Sequence, residues 1–133
     1  MINIKTIAQK LQDLEKTFSA EPINKPVNFL ALFLRDDHDK WDLLVSADWL
    51  NQDQRSGIQF LVSEFKKTLT NDEILKLSSI VPIPTGIEIP PVFTDVDTTE
   101  GVVELREVKF YNNLIGEAYI IKARGPRKES TKA

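Results

Sequence analysis

The stretch VNFLALFLRDDHDKWDLLVSA, residues 27–47, decides the fold. It contains two apolar runs of strand length, separated by a charged cluster that includes the only histidine of the chain. From Phe29 to Leu34 every position is apolar, which is typical of a strand covered on both faces. From Trp41 to Ala47 one alternating set is apolar and the other is mixed. The stretch therefore predicts a β-hairpin at the centre of a sheet.

The charged cluster at the tip of this hairpin is Asp36, Asp37, His38 and Asp39. Carboxylate oxygens and imidazole nitrogens are common ligands of divalent metals, so these four residues are the candidate metal ligands of the chain. Metal sites usually draw their ligands from several elements, however, and aspartate is also favoured in turns. We therefore predict a solvated turn with no bound metal, and we expect no cofactor elsewhere.

Helical patterns flank the hairpin in the sequence. Apolar residues recur every three or four positions from Ile4 to Phe18, directly after Asn3, a residue suited to capping a helix. The same spacing recurs from Ile58 to Leu69, and Thr70 then begins a capping-box pattern. These patterns predict two amphipathic helices and a shorter third one, packed on the sheet.

The last part of the chain has strand patterns again. Residues 80–83 read as a short strand whose proline confines it to an edge or to a strand end. Residues 102–111 and 114–122 read as a second hairpin. In that hairpin a bulge between Leu105 and Val108 would bring the apolar residues into phase. The predicted fold is α+β, in the order α-β-β-α-α-β-β-β, with a mainly antiparallel sheet of about five strands. The alternative is a mixed sheet covered on both faces.

Length and composition favour one domain. The chain has 133 residues, of which 41% are apolar, and no cysteine. We expect a single α+β domain over residues 1–123, followed by a flexible basic tail over residues 124–133. No apolar run approaches the about 20 residues that span a bilayer, and the first residues do not resemble a signal peptide. We expect a cytoplasmic protein with no membrane partner.

The charge distribution disfavours one class of partner. The tail has a net charge of +3, so the rest of the chain has a net charge of −6. Proteins that bind nucleic acid normally present a clustered face of lysine and arginine. We therefore do not expect nucleic-acid binding.

One spacing carries a possible catalytic function. Asp97, followed ten residues later by Glu107-Val108-Lys109, is similar to the acidic residue and E-x-K motif of metal-dependent nucleases of the restriction-endonuclease type. The resemblance implies a phosphodiesterase in which Asp97 and Glu107 hold Mg²⁺ and Lys109 assists the attacking water. The chain departs from that pattern, because a predicted hairpin follows Lys109 where those enzymes usually have a helix.

The leading hypothesis is a non-enzymatic protein that works by contact with another protein, as an interaction or regulatory module. Four aromatic residues fall outside the predicted core stripes. We expect them to be exposed, and they are candidates for an interface with a protein partner or a second copy: Trp49, Phe60, Phe93 and Tyr111. A third possibility, binding of a small molecule, requires a pocket between the sheet and the proline-rich loop over residues 84–101.

Overall fold

The structure, a computed structural model, describes residues 3–35 and 39–125. Within these residues the chain forms five strands and five helices. In chain order they are α1 (Ile4–Ser19), β1 (Phe29–Arg35), β2 (Trp41–Ser46), α2 (Asp48–Gln52), α3 (Gln54–Thr68), α4 (Asn71–Ile74), β3 (Leu77–Pro82), α5 (Pro91–Thr94), β4 (Val103–Phe110) and β5 (Asn113–Lys122).

All five strands belong to one open sheet, in the order β3-β2-β1-β5-β4. The pairs β1–β2, β1–β5 and β4–β5 are antiparallel, whereas β2 and β3 are parallel. The α+β class is confirmed. The expectation of a mainly antiparallel sheet is wrong, because the sheet is mixed, which was the alternative expectation. Residues 47–76 explain the parallel pair, because they hold α2, α3 and α4 and are long enough to return the chain to the other end of β2. The short helices α2 and α5 are additions to the predicted order.

The hairpin predicted from residues 27–47 is confirmed. Its arms pair from Phe29 with Ser46 to Phe33 with Asp42, and β1 is the middle strand of the sheet. The side chains of β1 are buried from Phe29 to Phe33 on both faces. The continuous apolar pattern therefore correctly predicts a strand that is buried on both faces.

Two different layers cover the two faces of the sheet. On one face, here called the helix face, Leu30, Leu32 and Leu43 pack against α1 and α3. Asn3 caps α1 by accepting a hydrogen bond from the backbone N–H of Lys5 at 2.9 Å. The opposite face, here called the loop face, is covered by the segment after β3 and by α5. The apolar residues of this loop-face cluster include Phe29, Ala31, Phe33, Ile83, Ile89, Phe93 and Val96.

The second hairpin changes phase where a bulge was predicted, but in a different way. Leu105 and Val108 both pack on the loop face although they are three residues apart. Between them Glu107 has a φ of 51°, and the pairing passes from Arg106 with Glu117 to Val108 with Ile115. The left-handed backbone at Glu107 therefore brings both side chains to one face while the pairing of β4 with β5 keeps its register, so the prediction of a bulge is wrong.

The ordered fold extends slightly beyond residue 123. The backbone N–H of Gly125 donates to the carbonyl of Thr94 at 3.2 Å, and the Arg124 side chain forms an ion pair with Asp95. The remainder of the predicted tail, residues 126–133, lies outside the described residues. Among the helices of the described ranges, none is long and apolar enough to cross a membrane.

Candidate functional site

The two edge strands of the sheet differ, and β3 is the open one. Its sequence, LSSIVP over residues 77–82, contains no charged residue. In the part of the chain that the structure describes, β3 pairs with β2 alone. The backbone N–H of Ile83 donates to the carbonyl of Val45 at 2.8 Å. Because N–H groups alternate between the two sides of a strand, the N–H and C=O of Ile80 point away from β2.

An apolar groove of about 330 Å³ lies beside this edge, between α3, α4 and β3. We call it the β3 groove. Its floor includes Phe65, which is 5% exposed and belongs to the helix-face core. The ammonium-bearing side chain of Lys66 is the charged member of the lining. The other lining residues are Ile58, Val62, Ile74, Leu77, Ser78, Ser79 and Ile80.

The helix α4 that forms one wall of the groove is fixed by the predicted capping box. The Thr70 hydroxyl accepts from the backbone N–H of Glu73 at 3.1 Å, and the Glu73 carboxylate accepts from the backbone N–H of Thr70 at 2.9 Å. Lys10 on α1 donates to both oxygens of the same carboxylate at 2.9 Å. The hydrogen bond from Thr70, and then that from Lys10, lower the pKa of the buried Glu73. The wall is therefore tied to both its own helix start and α1.

The opposite edge strand, β4, is closed by charge and by its backbone. Glu104, Arg106, Glu107 and Lys109 are all exposed. The Arg106 guanidinium lies 2.6 Å from a Glu104 oxygen and 3.8 Å from a Glu117 oxygen, and these carboxylates raise the pKa of Arg106. Charged side chains are one means by which edge strands avoid pairing with other chains, and the left-handed residue Glu107 interrupts the regular backbone of this edge.

A larger cavity, of about 510 Å³, lies on the loop face at one end of the sheet. We call it the loop pocket. It is formed where β1 begins and where β2 and β5 end, and residues 85–89 close its outer side. The pocket that small-molecule binding requires, between the sheet and the proline-rich loop, is thus present. Its polar lining includes Ser46 and both signs of charge, from Glu88, Lys122 and Arg124.

The structure does not bring the three nuclease candidates together. Asp97 accepts hydrogen bonds from the hydroxyl and then from the backbone N–H of Thr99, at 2.6 and 2.9 Å, and both lower the pKa of Asp97. The adjacent Thr98 contacts Ala123 at the end of β5, whereas Glu107 lies beside Gly116. Residues 116 and 123 are about 20 Å apart along an extended strand. Lys109 lies further along β4, beyond Glu107.

Three of the four candidate metal ligands, Asp36, Asp37 and His38, lie outside the described residues. Asp39 is exposed and lines a surface depression together with Lys40, Asp72 and Lys76. Within the described ranges there is no group of three or more acidic, histidine or cysteine side chains placed to hold a metal ion.

The four aromatic interface candidates have three different environments. Trp49 and Phe60 are half-buried, lie edge-to-face 5.8 Å apart, and the ammonium of Lys25 is 5.2 Å from the Trp49 ring. Tyr111 is 52% exposed, and its hydroxyl donates to the carbonyl of Glu88. The prediction that Phe93 is exposed is wrong, because it is fully buried and packs on Phe33 across the loop face.

The sequence reasoning missed the β3 groove, because its residues were assigned either to core stripes or to a short strand. A signal was available: β3 is an uncharged edge strand that follows directly on two helices with apolar stripes. Comparison of the chain with protein-family models, with curated proteins and with solved structures found no match.

Proposed function

We propose that this protein is a non-enzymatic interaction module that binds an extended segment of another protein along β3. The observation that carries the proposal is the combination of an open, uncharged edge strand with an apolar groove beside it. A partner strand would extend the sheet by one strand and place side chains in the groove.

The backbone of β3 supplies the first part of the binding energy. The outward N–H of Ile80 would donate a hydrogen bond to a partner backbone and its C=O would accept one, without regard to the sequence of the partner. Pro82, at the end of β3, limits the length of the new pairing, because proline has no N–H to donate. The bound segment is therefore short, and the complex belongs to the small, transient class of interfaces.

The groove supplies selectivity. Side chains of a strand alternate between faces, so every second residue of the partner faces Ile58, Val62 and Ile74 on the helix face. Apolar residues at those positions remove the groove lining from water. The ammonium of Lys66 favours a segment that has an acidic residue next to the apolar ones.

A partner segment fits this site better than a second copy of the chain. Pairing of β3 with another β3 would bring Leu77 and Ile80 of the second copy to the same face. Both side chains already pack against the core of their own chain, so neither is free to fill the groove. Self-association would leave the groove empty, whereas a free extended segment fills it.

The experiment is a selection of displayed random peptides on the immobilised protein, followed by calorimetric titration of the synthesised peptides. We expect enrichment of peptides with apolar residues at alternate positions and an acidic neighbour. Ser78→Lys, which places a charge on the open edge, should weaken binding by about tenfold or more. Ser63→Lys, the same change at an exposed position of α3, should leave it unchanged.

Peptides that bind the Ser78→Lys variant as tightly as the unmodified protein would refute the proposal. Sedimentation velocity on the unmodified protein and the same two variants tests whether a second copy of the chain binds along β3 instead. If the unmodified protein forms a dimer that is lost in Ser78→Lys and kept in Ser63→Lys, the occupant of the β3 edge is a second copy of the chain and not a partner segment.

A further inference from the structure

The loop pocket points to a second binding activity, independent of β3. We propose that it binds a small uncharged molecule with an apolar body and one hydrogen-bonding group, such as a hydroxyl, that pairs with Ser46. The cavity of about 510 Å³ falls within the range of small-molecule sites, which is about 300–1,000 Å³. It lies on the face of the sheet opposite the β3 groove.

A buried hydroxyl carries the polar part of the proposal. Ser46 is 3% exposed and lines the pocket, and it lies opposite Phe29 in the pairing of β1 with β2. Directly paired residues have their side chains on the same face, so the Ser46 side chain points to the loop face. Its backbone carbonyl accepts from the N–H of Asn28 at 2.7 Å, but within the described ranges its hydroxyl has no hydrogen-bond partner. A buried polar group without a partner is costly, so a ligand group that pairs with this hydroxyl stabilises the complex.

The charged side chains around the pocket favour an uncharged ligand. The Lys122 ammonium lies 3.7 Å from an oxygen of Glu15 on α1, and so belongs to the helix face. Arg124 forms an ion pair with Asp95. An anion therefore finds each cation already paired, and a cation finds only Glu88, which is exposed and screened by water. Moving a charge from water into the pocket would lower its affinity.

The segment that closes the pocket favours an apolar body. It is held on two sides, because the Asn51 amide donates to the Thr85 hydroxyl and the Tyr111 hydroxyl donates to the carbonyl of Glu88. Between these two contacts Ile87 is 48% exposed and lines the cavity. A ligand that covers Ile87 removes apolar surface from water while its polar group meets Ser46.

The experiment titrates four probes that share a phenyl ring into the isotopically labelled full chain. They are phenethyl alcohol, ethylbenzene, phenethylammonium and phenylacetate. We expect the alcohol to give saturable shifts of the amide signals of Ser46, Gly86 and Ile87, with Ile80 in the β3 groove unaffected. The alcohol should bind about tenfold tighter than either charged probe, because the pocket offers a charge no buried partner.

Variants isolate the contribution of the hydroxyl. The ratio of the affinities for the alcohol and for ethylbenzene cancels the contacts that both probes share. We expect this ratio to fall about tenfold in Ser46→Ala, because the alcohol loses its partner. The ratio should persist in Ser63→Ala, which removes an exposed hydroxyl on α3. Ile87→Ala should weaken both probes and keep the ratio, because it removes an apolar contact that they share.

Three results would overturn the proposal. The first is the absence of saturable shifts at the loop pocket with the alcohol. The second is a charged probe that binds the pocket more tightly than the alcohol does. The third is a ratio of alcohol to ethylbenzene affinity that stays unchanged in Ser46→Ala.

Discussion

The two edges of the sheet, β3 and β4, have opposite designs. β4 carries four exposed charged residues and a left-handed residue, Glu107, in its middle. β3 carries no charge and borders an apolar groove. Edge strands are sites of unwanted pairing, and natural proteins usually protect them. The chain protects one edge and leaves the other accessible, and this asymmetry is the basis of the proposed function.

The cores beneath the two edges differ as well. Substitutions in these cores should have the largest effect on the free energy of unfolding. Phe65→Ala removes a buried ring under the β3 groove and should lower the free energy of unfolding by about 3–5 kcal/mol. Phe110→Ala, at the β4 edge, removes a half-buried ring and should lower it by about 1–3 kcal/mol. Urea unfolding monitored by circular dichroism measures both. Equal losses would show that the two edges rest on equivalent cores.

The backbone of β4 gives a smaller effect of opposite sign. Glu107→Gly should raise the free energy of unfolding by about 0.5–1 kcal/mol, because glycine adopts a positive φ without strain. Glu104→Gly, at a regular position of the same strand, should instead lower it by about 1 kcal/mol. The same urea titrations apply. A loss in both variants would contradict a strained backbone at Glu107.

The pH dependence of the β3 side gives the smallest effect. Hydrogen bonds from Thr70 and Lys10 lower the pKa of Glu73 in the folded chain below its ordinary value of 4.5. This group therefore stabilises the fold above about pH 4.5, and the contribution is lost as the pH falls through the lowered pKa. Glu73→Gln should be less stable than the unmodified protein at pH 7, and the two should converge at lower pH. A difference in the free energy of unfolding between the two proteins that stays constant from pH 7 to pH 3 would exclude the ionised carboxylate of Glu73 as its source.

The central hairpin was predictable because burial on both faces leaves a direct trace in the sequence, namely an uninterrupted apolar run from Phe29 to Leu34. The helix caps at Asn3 and Thr70 were predictable for a local reason, since each depends on a side chain and a backbone group a few residues apart. The parallel pairing of β2 with β3 has no such local trace. Its indirect signal was the intervening helices, which supply a crossover.

The burial of Phe93 could also have been inferred. A β1 strand that is apolar on both faces needs cover on the loop face, and the proline-rich segment was the part of the chain left to supply it. The β3 groove could not have been inferred from the sequence, because the identity of the open edge depends on the order of the strands in the sheet. That order is decided by contacts between residues far apart in sequence. The loop pocket lies between the sheet and the proline-rich loop, where the small-molecule hypothesis required a pocket. Its apolar lining residues could not be identified in advance, because in a sequence they look the same as core residues.

Amide hydrogen exchange followed by NMR tests the central claim most directly, with and without a peptide selected on the protein. The asymmetry of the edges predicts that the peptide slows exchange of the outward-facing N–H of Ile80 by at least about tenfold and leaves the amides of β4 unchanged. Slower exchange along β4, or unchanged exchange at Ile80 under saturating peptide, would contradict it.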